Sequence, residues 1–336
     1  MEKDELTIIK EIRDRFSFSD SSVIGIGDDS AVLKFINSAL LTTDLMIEDI
    51  HFDLSYSSFY HLGFKIVSVN VSDIYAMGGD FKGFLFSLGI PETIEDNDLR
   101  ELFDGIEDAL KHYGGILVGG DLSKSEKVIL SGFATGETDN PVLRKGAEAG
   151  DWIFITSYLG LSAAGLYALK NFSDDEKKVI KSIRNFENFK AFDSKFVGID
   201  RIGEVLQRHL LPHARQSHQF RHLAKAMMDI SDGLLIDLYR LCEENNVGAE
   251  IYIDKLPVHS VVTRVSECLS LDPMNLILSG GEDYELLVVS HREDIATSFG
   301  LIPVGRIIED RGIYLIDLLK RRIPARPEGW QHFQQV

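Results

Sequence analysis

Chemistry in this sequence is most visible in its aspartates. They recur in Gly-, Ser- or Thr-rich turns where an apolar run ends. These are Ile26-Gly27-Asp28-Asp29-Ser30, Leu41-Thr42-Thr43-Asp44, Val69-Asn70-Val71-Ser72-Asp73, Val118-Gly119-Gly120-Asp121 and Met228-Asp229-Ile230-Ser231-Asp232-Gly233. Surface carboxylates usually occupy polar helix faces, whereas these follow strand-like segments and are expected near the edge of the core. Two carboxylates ~5 Å apart repel by about 3 kcal/mol at an effective dielectric near 20. Gathering several in one cleft therefore requires cations. Mg²⁺ takes carboxylate, hydroxyl and water oxygens and bridges phosphates, and Thr42, Thr43 and Ser72 add neutral oxygens. Taken singly, each aspartate also reads as a turn former or helix N-cap, and spacing alone does not show that they converge.

The whole composition narrows the classes. The chain has 336 residues, 35 Lys+Arg against 53 Asp+Glu, and a net charge of −18. Two domains are the natural expectation at this length, and 44% hydrophobic content is that of a globular chain. The acidity argues against nucleic acid, which requires a basic face to replace counterions. Cys242 and Cys268, the two cysteines, form no C-x-x-C motif and sit in no Cys/His cluster, which disfavours zinc and a disulfide scaffold. No run reaches the roughly 18 apolar residues of a membrane span, and the N-terminus carries no signal-peptide pattern. A cytoplasmic protein without membrane partners is expected.

The elements that must position the aspartates follow from periodicity. Helical patterns cover Leu6–Arg15, Phe59–Met77, Asp98–Tyr113, Leu161–Lys170 and Leu234–Asn245. Strand-like runs cover Ala31–Phe35, Ala39–Thr43, Phe84–Ile90, Ile116–Val118, Val128–Ala134, Trp152–Thr156, Ala226–Asp229, Ala249–Ile253, Glu285–Val289 and Ile302–Ile308. Ser173–Gln219 reads as charged and helical. The turn-rich stretch Thr138–Asp151 marks a domain boundary, giving domains 1–138 and 139–336. The irregular mixture of elements implies an α+β fold with mixed sheets.

Nucleotide motifs are missing where they would be sought. Gly119-Gly120-Asp121-Leu122-Ser123-Lys124-Ser125 has the wrong spacing for a P-loop, and Gly25-Ile26-Gly27-Asp28-Asp29-Ser30 ends in Ser rather than Gly. Phosphate handling here would rest on metal.

In order along the chain, the motifs resemble those of the thiamine-monophosphate kinase family, in the superfamily of aminoimidazole ribonucleotide synthetase. The match runs through Gly27-Asp28-Asp29-Ser30-Ala31-Val32, Thr42-Thr43-Asp44, Glu48-Asp49-Ile50-His51-Phe52, Val69-Asn70-Val71-Ser72-Asp73 and Gly119-Gly120-Asp121. It continues through Arg144-Lys145-Gly146-Ala147, Asp229-Ile230-Ser231-Asp232-Gly233-Leu234, Ser279-Gly280-Gly281-Glu282-Asp283-Tyr284-Glu285-Leu286 and Gly329-Trp330-Gln331-His332-Phe333. The sequence departs from the family pattern where Leu122-Ser123 replace two threonines, and in Pro212–Arg221, which lacks the expected glycine turn.

The resemblance implies a two-domain synthetase-like subunit whose N-terminal sheets pair into a shared β-barrel in a homodimer, with an α/β C-terminal domain completing the active site. It implies ATP-dependent phosphorylation of thiamine monophosphate to thiamine diphosphate, within thiamine diphosphate biosynthesis. By position, Asp29, Thr42, Thr43, Asp44, Asp73, Asp121, Asp229 and Asp232 would hold Mg²⁺. Gly120, Asp121, Arg144 and Ser231 would bind ATP, and His51, Glu282 and Trp330 the thiamine phosphate. The acceptor phosphate, with a second pKa near 6, is already mostly dianionic at neutral pH. No general base is required, and direct transfer without a phosphoenzyme is expected. A superfamily relative acting on another acceptor, such as a ribonucleotide synthetase, is the alternative. Phe103 and Tyr113 are expected to pack on a helix face, and Cys242 in the core.

Overall fold

The computed structural model describes residues 11, 12, 14–16 and 35–330. Asp28, Asp29 and the run Ala31–Lys34 lie outside the described residues. The chain divides into two compact units. The first takes residues up to Tyr75, Gly79–Pro141 and Lys177–Arg184, and the second Ala76–Gly78, Val142–Glu176 and Asn185 onward.

In the first unit a four-stranded mixed sheet has the order β1-β4-β2-β3. The strands are β1 (Ser38–Ile47), β2 (Asp80–Ile90), β3 (Ile116–Lys124) and β4 (Ile129–Thr138). β2 and β3 are parallel; β4 runs antiparallel to both β1 and β2. Helix α1 (Phe59–Ala76) is apolar nearly all round and almost wholly buried, as a central helix must be. Helix α2 (Asp96–Tyr113) is amphipathic: Leu99, Leu102, Phe103, Ile106, Ala109, Leu110 and Tyr113 form its buried stripe. Glu95 and Asp98 cap its start reciprocally and left-handed Gly114 ends it. The two helices cross at Gly63 and Gly105, where a Cβ on either would strike the backbone of the other helix. One sheet face buries Leu40, Met46, Phe84, Phe86, Leu88 and Leu130, while Leu41 and Leu45 on the opposite face of β1 stay 63% and 49% exposed.

The second unit is built on a seven-stranded mixed sheet of order β11-β10-β7-β9-β5-β8-β6. Its strands are β5 (Trp152–Ile155), β6 (Ala226–Ile230), β7 (Gly248–Tyr252), β8 (Glu285–Ser290), β9 (Ile302–Ile308), β10 (Gly312–Ile316) and β11 (Arg322–Ala325). Its helices are α3 (Leu161–Asn171), the start of α4 (Asp174–Lys181), α5 (Ile202–Leu210), α6 (Leu234–Asn245), α7 (Ser260–Leu269), α8 (Pro273–Ser279) and α9 (Ile295–Phe299). Alternation along the strands feeds two cores. Ile153, Ile155, Met228 and Ile230 pack with Leu234, Leu238, Leu241 and Cys242 of α6. Phe154, Met227, Leu286 and Val288 pack with Phe220, Ile295 and Leu301. No helix among the described residues is long and apolar enough to cross a membrane.

Several expectations need correction. The aspartates do not sit in turns as a rule. Asp44 lies inside β1, Asp121 inside β3, Asp229 inside β6 and Asp73 inside α1, whereas Asp232 is in a bend. The Gly-Gly-Asp segment stays extended because β2 continues beside it, pairing Phe86 with Gly120 and Ser87 with Asp121. Ser173–Gln219 is not one helical region: between α4 and α5, and again after α5, the backbone is irregular. Glu176 organises the first of these loops by accepting the Phe192 and Asp193 N–H groups at 2.7 and 3.0 Å.

His61 on α1 gives the first unit a testable acid sensitivity. Its Nδ1 accepts the Ser58 N–H at 3.2 Å and its Nε2 donates to the Ile183 carbonyl at 2.7 Å. Burial lowers its pKa from 6.5 to about 4, against the pull of the Ile183 carbonyl. Between those values the unfolded chain binds more protons, so stability falls as pH drops through that window, by ~3 kcal/mol when complete. His61→Gln, which keeps a donor toward Ile183, is expected to flatten this part of the curve of melting temperature against pH. Unchanged slopes would contradict the assignment.

Candidate active site

The first unit brings Thr42 and Asp73 together. The Thr42 hydroxyl donates to Asp73 Oδ2 at 2.5 Å, from β1 to the late turns of α1. Asp44 lies two residues along β1 and so projects to the same face as Thr42. Thr43 projects to the other face and donates to the Gly132 carbonyl at 2.8 Å. Its side chain is therefore not aligned with Thr42 and Asp44.

Asp121 is also separated from them within the unit. The registers align Leu45, Ser131, Ser87 and Asp121 in one row across the sheet, and Asp44, Gly132, Phe86 and Gly120 in the next. Asp121 thus shares the face of Leu45, opposite to Asp44, and β3 lies three strand spacings, roughly 14 Å, from β1. No group of three or more His, Cys, Asp or Glu side chains among the described residues is disposed to hold a metal ion.

His51 follows β1. Its Nδ1 accepts the Ile47 N–H at 3.0 Å, so the neutral ring carries its proton on Nε2. Glu48 and Asp49 are tied to the approach to β4: Glu48 accepts the Val128 N–H at 2.9 Å and Asp49 pairs with Lys127 at 2.9 Å. Phe103 and Tyr113 are buried, the latter donating to Ser68 Oγ at 3.1 Å.

The second unit assembles a tighter constellation. β6 pairs antiparallel with β8, Ile230 opposite Glu285. Beyond that pair, the Glu282 N–H donates to the Ser231 carbonyl at 2.6 Å and the Tyr284 N–H to the Ile230 carbonyl at 2.9 Å. The Trp330 N–H donates to the Asp232 carbonyl at 2.9 Å, which brings the half-exposed indole of the C-terminal segment to the same bend. Ser231, Asp232, Glu282 and Trp330 are therefore neighbours. Glu282 and Tyr284 both have left-handed backbones, φ 63° and 51°, uncommon for non-glycine residues and frequent at functional sites. Asp229 is buried in β6.

Each carboxylate here has its own support. The Ser231, Asp232 and Gly233 N–H groups all donate to Asp237 Oδ2, at 3.1, 3.0 and 3.2 Å. Gly233, at φ 126°, gives the bend a conformation that side chains rarely adopt. Burial pushes Asp237 up to about 6, opposed by the bend's N–H groups and by Arg240. Arg240 Nη1 joins Asp237 Oδ1 at 2.8 Å and Asp232 Oδ2 at 2.5 Å, so Asp232 is ion-paired. Asp283 accepts the Gly160 and Ser162 N–H groups at 2.6 and 3.2 Å, at the start of α3. Burial nevertheless pushes it up to about 7. Glu285 is buried between Arg208, Arg215 (3.6 Å) and the Thr156 hydroxyl (2.6 Å).

Arg144 lies exposed on a loop clamped by Asn245 at the end of α6. Asn245 Oδ1 accepts the Gly146 and Ala147 N–H groups at 2.7 and 3.0 Å, and its Nδ2 donates to the Arg144 and Leu241 carbonyls, each at 2.7 Å. Asp237, Arg240 and Asn245 escape sequence reasoning because their partners are distant or backbone groups. An acidic residue in the first turn after Ser-Asp-Gly was the available signal for Asp237.

A two-unit mixed α/β architecture with its motifs placed this way defines a class. The family described as AIR synthase related protein matches by its N-terminal domain over residues 27–138 and by its C-terminal domain over residues 148–317, and the chain belongs to it. A protein of Aquifex aeolicus named thiamine-monophosphate kinase is 36% identical over 311 residues, 92% of each chain. One of that name from Pyrococcus horikoshii is 30% identical over 313 residues, 92% of this chain and 91% of the relative. The solved structure described as AaThiL complexed with AMPPCP and TMP matches at TM-score 0.73 and 33% identity, covering 98% of this chain and 97% of that one. Within the AIR synthase-related family, the chain belongs with the thiamine-monophosphate kinases.

The Asn245 clamp carries a prediction. Asn245→Ala removes all four of its bonds and is expected to cost about 1–3 kcal/mol. It should also speed proteolytic cleavage between Leu143 and Glu148. A protease-resistant loop in the variant would show that the clamp does not hold it.

Proposed function

We propose that this chain phosphorylates thiamine monophosphate to thiamine diphosphate with ATP, by direct in-line transfer. The observation that carries the reading is the β6–β8 junction, where Ser231, Glu282 and Trp330 adjoin in a chain whose relative was solved with AMPPCP and TMP. Glu282 and the indole of Trp330 suit a cationic thiazolium and its pyrimidine, one through charge and the other through its π face. His51 offers an Nε2–H donor to the thiamine phosphate. Arg144 suits a phosphate of ATP through its planar fork of donors, and Ser231 in the same unit is a further nucleotide contact.

Mg²⁺ fits the donor chemistry of the first unit. Thr42, Asp44 and Asp73 share a face and offer oxygen alone, the ligand type of a hard cation. Asp121 makes a second oxygen site, and Asp229 offers a carboxylate within the second unit. Thr43 would contribute through its carbonyl, and Asp232 through the carboxylate oxygen turned away from Arg240. When bound, the ions neutralise phosphate charge and align the two polyanions. The acceptor's own phosphate oxygen attacks the γ-phosphorus as the bond to the leaving ADP oxygen breaks, so no side chain must remove a proton.

A coupled assay with ATP, Mg²⁺ and thiamine monophosphate is expected to give ADP and thiamine diphosphate in equal amounts. ADP formed only with another acceptor would overturn the reading. Transfer from ATP chiral at its γ-phosphorus should invert configuration, and retention would require a phosphoenzyme. Asp44→Asn should lower kcat on the order of 100-fold with melting unchanged; near-normal turnover would remove Asp44 from the metal site.

A homodimer through the first-unit sheet belongs to the same proposal, supported by Leu41 and Leu45 exposed on one face of β1. Leu41→Glu with Leu45→Glu is expected to halve the mass measured by light scattering. A wild-type monomer, or a variant that stays dimeric, would refute this interface.

A further inference from the structure

Helix α5 ends in Arg208, His209 and Leu210, and its last turn reaches both glutamates of the Glu282-Asp283-Tyr284-Glu285 segment. Arg208 takes Glu285. His209 takes Glu282: its Nδ1 lies 3.2 Å from Glu282 Oε2 and 3.1 Å from Ser162 Oγ. The imidazole is buried, with 5% of its side chain exposed, while Glu282 is 30% exposed. A rigid interior group thus holds a carboxylate that reaches outward. We propose that His209 is the positioning residue that orients Glu282 against the cationic ring system of the thiamine substrate, an inference that rests on the function proposed above.

Three observations lead there. The backbone of Glu282 is fixed by its N–H bond to the Ser231 carbonyl and by its left-handed conformation, so the carboxylate is placed by its side-chain torsions. An unrestrained glutamate retains about 1.5–2 kcal/mol of rotamer freedom that binding must remove. A partner that removes it beforehand raises affinity by preorganisation. Ser162 Oγ lies beside the same Nδ1, so one Nδ1–H is shared between the Ser162 hydroxyl oxygen and Glu282, and the Ser162 N–H is engaged by Asp283 at the start of α3.

The chemical type of the partner matters as well. Glu285, which is buried, is matched by arginine, whose permanent charge cancels the carboxylate. Glu282 is held by an imidazole, whose Nδ1 reaches one of its two carboxylate oxygens. That arrangement suits a cationic ligand, and an arginine at the same place would not. The segment therefore gives its two glutamates different partners, arginine for Glu285 and an imidazole for Glu282.

Steady-state kinetics of the full-length enzyme and its variants test this. His209→Gln keeps polarity but places its amide at the Nε2 position. It is expected to raise KM for thiamine monophosphate roughly tenfold, the scale of one lost hydrogen bond to a charged group, with KM for ATP within twofold. His209→Asn, whose amide nitrogen overlays Nδ1, should recover most of the loss. Added to Glu282→Gln, His209→Gln should raise KM no further. Equal changes in both KM values, no rescue by His209→Asn, or full additivity with Glu282→Gln would each overturn the proposal while leaving the kinase reading intact. A wild-type enzyme that forms no thiamine diphosphate would remove the kinase reading and this proposal together.

Discussion

Strand β6 pairs antiparallel with β8 so that Ile230 stands opposite Glu285, and that register fixes the arrangement of the second unit's site. It places Ser231 beside Glu282, and the bend after Ser231 receives the Trp330 backbone at Asp232. A slip of one residue would turn every side chain on β8 to the opposite face. Leu287 and Val289 would leave the core shared with α6, and Leu286 and Val288 the core shared with Phe220. Core packing on both faces therefore determines the geometry of a polar site at the sheet's end. The left-handed backbones of Glu282 and Tyr284 are held in place by the same pairing.

The carboxylates around that junction show how an acidic chain tolerates crowding. Asp237 accepts three backbone N–H groups, Asp283 two more at the start of α3, and Glu285 is enclosed by two arginines and a hydroxyl. Burial still pushes Asp237 and Asp283 up to about 6 and about 7. For both, desolvation outweighs the donors offered. These residues hold loops in place, whereas the more exposed Asp232 and Glu282 face outward from them.

Much of this organisation was legible in the sequence. Helix α6 runs from Leu234 to Asn245 as its periodicity requires, because a glycine bend precedes it and one face meets the core continuously. The motif order identified the family, since each motif is a local signal. What stayed hidden depends on contacts distant in sequence. Asp121 reads as a turn residue after two glycines, yet β2 beside it keeps the chain extended. His209 reads as one more polar residue on a helix, and its role appears only when Ser162 and Glu282 close around it from 47 residues before and from the end of the sheet. Helices α7 and α8 and strands β10 and β11 escaped assignment because their short patterns are ambiguous between helix, strand and loop.

The contrast between the two units bears on where the proposed cations belong. In the second unit, Asp232 already has Arg240 and Glu285 has Arg208 and Arg215. An added Mg²⁺ at Asp232 would share a carboxylate with a guanidinium. In the first unit, Asp73 accepts the hydroxyl of Thr42, a neutral donor that orients a carboxylate. Asp44 stands on the same face, and Asp121 lies across the sheet on the other. One ion cannot span both faces of a sheet roughly 14 Å apart along its width. If Asp44 and Asp121 hold Mg²⁺ as proposed, they would therefore do so at separate positions. Under that proposal the net charge of −18 would not oppose two polyanionic substrates, because the compensating charge would enter with the phosphates.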